Sequence, residues 1–145
     1  MKYLLALSLA AGTCLRTFAA SAPAADADAV QGLWKPVSAV LAGSPMPDAV
    51  VKSISLRMDH GNYEVLVGDA PDRGTYTLDP GATPKGITVM GTDGPNVGKT
   101  FPAIYELAGD TLRICYDLSG AKRPARFESP AGTLLYVVAY QRVRK

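Results

Sequence analysis

Short runs in which apolar and polar residues alternate follow one another along most of this 145-residue chain. Ile54, Leu56 and Met58, for example, are separated by Ser55 and Arg57. Such alternation is typical of strands that bury one face, and residues that favour turns separate the runs. The pattern predicts eight strands, over residues 32–40, 53–58, 63–67, 74–78, 86–91, 100–107, 111–117 and 133–142.

The connections between these runs are short, which predicts antiparallel neighbours because parallel strands need a long crossover. Eight antiparallel strands with one apolar face remove their exposed edges most simply by closing on themselves. We therefore predict an all-β fold, an eight-stranded antiparallel up-and-down barrel, with a β-sandwich as the alternative. Asp48 is expected to cap a helical turn over residues 48–52, and 68–73 is expected to be a turn. Residues 118–132 form the longest segment without periodicity.

The first 24 residues have the features of a signal peptide. Lys2 supplies a positive charge, and residues 3–15 are apolar but too few to span a bilayer. Small residues suit a cleavage site between Ala20 and Ala24. We predict an exported protein, periplasmic or secreted, whose mature form has no transmembrane helix. A lipid anchor through Cys14 is the alternative.

The domain organisation that follows has three parts. A signal peptide at 1–24 precedes a flexible Ala/Asp spacer at 25–30, and a single barrel domain occupies 31–145. About 120 residues are enough for one hydrophobic core.

Loss of the leader changes the charge and the cysteine count. Lys2 and Arg16 are removed, so 13 basic residues balance 13 acidic ones and nothing favours nucleic-acid binding. Cys115 becomes the only cysteine, so no disulfide can form within the chain. Its neighbours Ile114 and Tyr116 indicate a buried thiol.

No group of residues predicts catalysis. His60 is the only histidine and lies in a turn, without the further ligands that a metal site needs. Gly98-Lys99-Thr100 has Asp93 where a phosphate-binding loop requires glycine. We predict no catalytic residue, no metal and no cofactor, and keep an enzyme such as a hydrolase only as an alternative.

Several aromatic side chains share the inward phase of their strands. Buried tyrosine hydroxyls need hydrogen-bond partners, and a semi-polar pocket for a small apolar or amphipathic ligand would supply them. An ordinary core with hydroxyls at the barrel ends is the alternative. The candidate ligand-binding residues are Met58, Tyr63, Tyr76, Tyr116 and Tyr136.

The loop over residues 118–132 carries the other candidate surface. Arg123, Arg126 and Phe127 would form a lid over the barrel or a surface for a partner, such as another envelope protein. A solvated loop with Phe127 over the barrel mouth is the alternative. The protein is thus expected to bind a ligand, or else to act as an interaction module with a solid barrel.

Gly32-Leu33-Trp34 opens the first strand, and Arg142 ends the last strand in a phase that can meet Trp34. A guanidinium over an indole face is attractive, so we expect this pair to close one end of the barrel. Any binding site is then expected at the other end.

Gly32-Leu33-Trp34 resembles the Gly-x-Trp signature of lipocalins, in which a basic residue of the last strand packs across the Trp. The mature chain is also similar to an uncharacterised lipocalin-like domain family of bacteria, although Leu33 stands where that family more often has a small residue. The resemblance implies an exported barrel and no established catalytic residues. Its segments are 33–39, 74–80, 104–107, 109–116, Arg123-Pro124 and Phe127.

Overall fold

The structure, a computed structural model, describes residues 23–145. The predicted signal peptide lies outside these residues, except for its last two, and so does Cys14. The elements in chain order are α1 (Pro23–Ala29), β1 (Gly32–Leu41), β2 (Ser44–Pro45), α2 (Asp48–Ser53), β3 (Ile54–Asp59), β4 (Asn62–Val67), β5 (Ala70–Asp79), β6 (Gly86–Asp93), β7 (Thr100–Ala108), β8 (Thr111–Asp117) and β9 (Leu135–Arg142).

The strands form one sheet that closes on itself. From β3 onward each strand pairs antiparallel with the next, β1 pairs with β3, and β9 returns to pair with β1 from Trp34 to Leu41. The two-residue strand β2 adds to the side of β1. This arrangement confirms the predicted all-β, eight-stranded antiparallel barrel, with β2 as an extra strand, and no second sheet of a sandwich is present in 23–145.

The barrel interior is filled from the alternating positions of the strands. In β3, for example, Ile54, Leu56 and Met58 are buried and their neighbours are more exposed. The buried cluster includes one residue of the segment before β1 and one of α2, and consists of Val30, Trp34, Ala39, Val51, Leu56, Met58, Tyr63, Tyr76, Ile87, Ala103, Tyr105, Leu112, Ile114, Val138 and Tyr140.

The two ends of the barrel differ. One end holds the start of β1, the end of β9 and the β3–β4, β5–β6 and β7–β8 connections. The opposite end holds α2, the β4–β5 turn, the β6–β7 loop at 94–99 and the start of the long β8–β9 loop. Neither helix in residues 23–145 is long and apolar enough to cross a membrane.

The expected flexible spacer is wrong. Residues 25–29 lie in α1, and Asp26 and Val30 are buried, so the packed structure begins before residue 31. The Ala/Asp composition resembles a linker, but Asp26 gains hydrogen-bond partners in the distant Lys85 and Tyr105, which local composition does not reveal.

Two local expectations also differ from the structure. α2 forms where the helical turn is predicted, but its N-cap is Pro47 and no side chain caps it. The segment 68–73 is a turn only at its start, because β5 begins at Ala70 and pairs there with Val67 of β4. This extension places Asp72 on a strand rather than in a turn.

Candidate functional site

Trp34 and Arg142 close one end of the barrel. Trp34 is fully buried, and the Arg142 guanidinium carbon lies 4.2 Å from its ring centroid, as the sequence predicts. The guanidinium also donates to the carbonyls of Gln31 and Ala29, and its Nε donates to Asp110 Oδ1 at 3.2 Å. These bonds fix the cation over the indole and tie both chain ends of the barrel together.

Gly32 is needed for this approach. Its φ is +130°, and a Cβ on its backbone would lie 2.9 Å from Arg142 Nη1. A side chain at position 32 would therefore displace the guanidinium. The absence of a side chain at Gly32 thus allows the contact between Arg142 and Trp34 that closes this end of the barrel.

A buried charge cluster attaches α1 to the same end. Asp26 Oδ2 accepts hydrogen bonds from the Tyr105 hydroxyl at 2.6 Å and the Lys85 ammonium at 2.8 Å. Burial by itself raises the pKa of Asp26, but the two donors outweigh it and hold that pKa below its ordinary value. The Trp34 indole N–H donates to the Val30 carbonyl at 2.8 Å, which fixes the end of α1 further.

The barrel interior contains a cavity of about 240 Å³, which extends to α2 and the loop residues of the opposite end. Its lining includes side chains of α2 and of every full-length strand except β1, together with loop residues at the barrel mouth. The lining residues are Met46, Val50, Ile54, Leu56, Met58, Tyr63, Val65, Val67, Asp72, Tyr76, Ile87, Val89, Asn96, Phe101, Ile114, Tyr116, Leu118, Tyr136 and Tyr140.

All five residues predicted to bind a ligand line this cavity: Met58, Tyr63, Tyr76, Tyr116 and Tyr136. Strand alternation directs them inward, since each lies on the buried face of its strand. The rings of Tyr116 and Tyr136 stack with their centroids 5.8 Å apart. Tyr140, four residues further along the same face of β9, also lines the cavity.

The cavity tyrosines remain neutral at physiological pH. Burial raises the pKa of Tyr63 to about 12, and the nearby Asp72 carboxylate adds to this shift. Burial also raises the pKa of Tyr76, Tyr116, Tyr136 and Tyr140. These hydroxyls can therefore donate or accept hydrogen bonds, but they are poor bases.

Asp72 and Asn96 form a polar group at the cavity wall that the sequence analysis missed. Asp72 Oδ2 accepts from Asn96 Nδ2 at 2.9 Å and from the Tyr63 hydroxyl at 3.4 Å. Asp72 Oδ1 accepts from the Asn96 backbone N–H at 3.2 Å. Both residues fall in segments whose sequence shows no apolar–polar alternation. They are 24 residues apart in the chain, and only closure of the barrel brings them together.

The loop residues lie on the outer wall rather than over the mouth. Arg123 Nη1 donates to the Ala103 and Ile87 carbonyls at 2.6 and 2.8 Å, which binds the loop to β7 and β6. Phe127 lies 4.1 Å from the guanidinium of Arg113 on the exposed face of β8. The expected lid is therefore wrong for Arg123 and Phe127, because outer-wall contacts hold both.

Arg126 and Cys115 complete the description of this loop. The Arg126 side chain is 78% exposed and has only a long 3.8 Å contact with Glu128. Cys115 is buried under the loop, as expected, and burial raises the pKa of its thiol. Its Sγ lies 3.6 Å from the Glu128 carbonyl, so it is a packed residue rather than a nucleophile.

His60 lies in the β3–β4 turn at the closed end with φ of 45°, and its exposed ring contacts Asp59. It is not among the residues that line the cavity. Within residues 23–145 no group of three or more His, Cys, Asp or Glu side chains is arranged to hold a metal ion.

No protein-family model, curated protein or solved structure matches this chain. The strand pairing and the cavity therefore carry the functional argument, and the resemblance to the lipocalin-like family stays a prediction.

Proposed function

We propose that this protein is a non-catalytic binding protein that holds one small apolar or amphipathic molecule in its barrel cavity. The observation that supports this is the 240 Å³ cavity itself, since a solid barrel would have no room for a ligand. An engineered apolar cavity of about 150 Å³ holds one benzene molecule, so the cavity here suits a body of on the order of ten non-hydrogen atoms.

The lining chemistry fits an amphipathic molecule. Aliphatic and aromatic side chains make up most of the wall, and five tyrosines interrupt it with neutral hydroxyls. A predominantly apolar wall with a few placed polar groups is typical of small-molecule binding sites. Neutral tyrosines suit hydrogen bonding to a ligand better than proton transfer, which favours binding over catalysis.

Val89 and Met90 offer a matched pair for the test. Val89 lines the cavity, whereas its neighbour Met90 is 48% exposed on the outer face of β6. We expect Val89→Trp to fill the cavity and to abolish the rise in melting temperature that small amphipathic compounds cause. Met90→Trp adds the same side chain outside and should leave that rise unchanged.

The decisive measurements are a thermal-shift screen with lipids and aromatic compounds, and native mass spectrometry of the purified protein. A compound that stabilises the wild type and Met90→Trp but not Val89→Trp supports the proposal. If no compound stabilises the wild type, or if Val89→Trp responds equally, the cavity does not bind ligands.

A partner-binding role of the loop is the second proposal, and the observation that favours it is the exposed Arg126. Arg123 contributes little to such a surface because its guanidinium is occupied by the barrel wall. Charge reversal in Arg126→Glu should remove cross-links to an envelope protein in intact cells. Unchanged cross-links would reject this surface.

We also propose that the protein is exported and belongs to the lipocalin-like family that its sequence resembles. The signal-peptide features of residues 1–24 support export. N-terminal sequencing of the protein from a periplasmic or secreted fraction should give a start between Ala20 and Ala25. An intact N-terminus in the cytoplasm would contradict export.

A further inference from the structure

The cavity has one charged side chain in its lining, the carboxylate of Asp72. Among the described residues that line it there is no Lys, Arg or His. The described cavity lining therefore carries a single negative charge, which lies among aliphatic and tyrosine side chains.

Asp72 keeps room for another donor. A carboxylate offers about four lone-pair positions, and Tyr63 and Asn96 together occupy three of them. No cationic side chain within residues 23–145 forms an ion pair with Asp72, and the neighbouring Arg73 instead pairs with Glu64 and Asp93 on the outside. Within the described residues, the negative charge of Asp72 therefore has no cationic partner, and one of its lone-pair positions accepts no hydrogen bond from the protein.

The tyrosine rings favour the same kind of ligand. A cation is attracted to the face of an aromatic ring, and a partly desolvated site strengthens this attraction. Tyr63 contacts Asp72 directly, while Tyr116 and Tyr136 form a stacked pair in the same cavity. A carboxylate headgroup would instead meet a like charge with no cation to offset it.

We propose that the cavity selects a small amine, an apolar or aromatic body that carries a protonated ammonium group, and that Asp72 is the residue that binds this group. This inference rests on the proposed ligand-binding function and assigns the chemical class of its ligand. Asn96 and Tyr63 hold the Asp72 carboxylate in place, and the aliphatic wall receives the body of the amine. Fatty acids and other anionic amphiphiles are expected to bind more weakly.

Three probes that share a phenylbutyl chain and differ in their headgroup test the preference for an amine. Phenylbutylamine, phenylbutanol and phenylbutanoate each have on the order of ten non-hydrogen atoms, the size that the cavity suits. Isothermal titration of the wild type should give an affinity for the amine at least about tenfold above that for the carboxylate, with the alcohol between them. This comparison needs no variant, so a wild type that binds the carboxylate as tightly as the amine overturns the inference.

Two acid-to-amide variants test the residue. Asp72→Asn keeps the shape of the side chain and should bring the amine and the carboxylate within about threefold of each other. Asp69→Asn removes the same charge from the exposed β4–β5 turn and should keep the wild-type preference. Melting curves without ligand establish that both variants are folded. An amine preference that persists in folded Asp72→Asn overturns the assignment of Asp72.

The outcomes separate this inference from the proposed function. If all three probes bind equally and Val89→Trp abolishes their binding, the cavity binds ligands and the headgroup inference is wrong. If no probe binds but compounds from the screen bind in a Val89→Trp-sensitive way, the amine inference alone fails. If neither probes nor screened compounds bind, both proposals fail.

Discussion

Arg142 and Asp26 hold the closed end of the barrel through interactions that only folding creates. Arg142 lies over Trp34 and donates to two main-chain carbonyls and one carboxylate. Asp26 accepts from Tyr105 and Lys85 where little water reaches it. At the residue scale, stability at this end therefore depends on fixed hydrogen-bond geometry as well as on charge.

Arg142→Lys should destabilise the fold although it conserves the charge. A lysine ammonium is a point charge and cannot reproduce the planar set of donors over the indole. We expect a loss of about 1–3 kcal/mol in the free energy of unfolding, measured by urea denaturation. Arg144→Lys is the control, because Arg144 contacts the same Asp110 but is 76% exposed. Equal losses in the two variants would refute a special role for Arg142.

Asp26 should make stability fall at low pH. Its pKa is lowered in the folded state, so the ionised carboxylate stabilises the fold at pH values above the unfolded pKa of about 3.9. This contribution is lost as the pH falls below 3.9 and through the lower folded pKa. Asp26→Asn should therefore lose about 1–3 kcal/mol at neutral pH and much less near the acid end.

Asp28→Asn is the matched control for this pH dependence, since Asp28 lies in the same helix and is exposed. Denaturation at a series of pH values compares the three proteins. If the unfolding free energy falls with decreasing pH as steeply in Asp26→Asn as in the wild type, this pH dependence arises from other residues.

α2 covers a part of the barrel wall in which neighbouring strands are paired over only a short length. β1 pairs with β3 over only three residue pairs, Gly32 to Trp34, whereas it pairs with β9 along most of its length. α2 lies beside this opening, contributes Val50 to the cavity and buries Val51. Six residues without a side-chain cap are too few to form a stable helix alone, so packing holds α2 in place.

The amides of α2 should consequently exchange with solvent faster than those of β8. Val51 loses protection when α2 opens locally, whereas Ile114 and Cys115 lie in a strand paired on both sides. Hydrogen exchange followed by NMR is the measurement, and a bound ligand in the cavity should slow exchange in α2. Protection of Val51 equal to that of Ile114 would show that α2 opens only with the whole barrel.

At the scale of the whole molecule, the protein has one sealed end and one end that leads to a cavity. Trp34, Arg142 and α1 occupy the sealed end, while α2 and Asn96 lie at the other. The expected effects of Val89→Trp and Asp72→Asn on ligand binding depend on the whole molecule, because the cavity exists only once eight strands have closed around it. The geometry therefore separates the residues that stabilise the closed end of the barrel from those that line its cavity.

The sequence by itself determined the eight barrel strands (although not all of their bounds), their antiparallel order, the closure by Trp34 and Arg142 and the inward tyrosines. Alternation with a period of two is a local signal, and a strand with this pattern must direct one set of side chains into the core. Short connections then leave few topologies open. The five predicted ligand-binding residues line the cavity for this reason.

Only the tertiary structure decided the contacts between residues far apart in the sequence and the volume of the cavity. It turned the predicted spacer into α1, moved Arg123 and Phe127 to the outer wall, and joined Asp72 to Asn96 inside the barrel. Each of these depends on partners far away in the sequence and on polar contacts that carry no periodic pattern. The same holds for the cavity, since its 240 Å³ is the space that packed side chains leave unfilled, and alternation alone does not specify it.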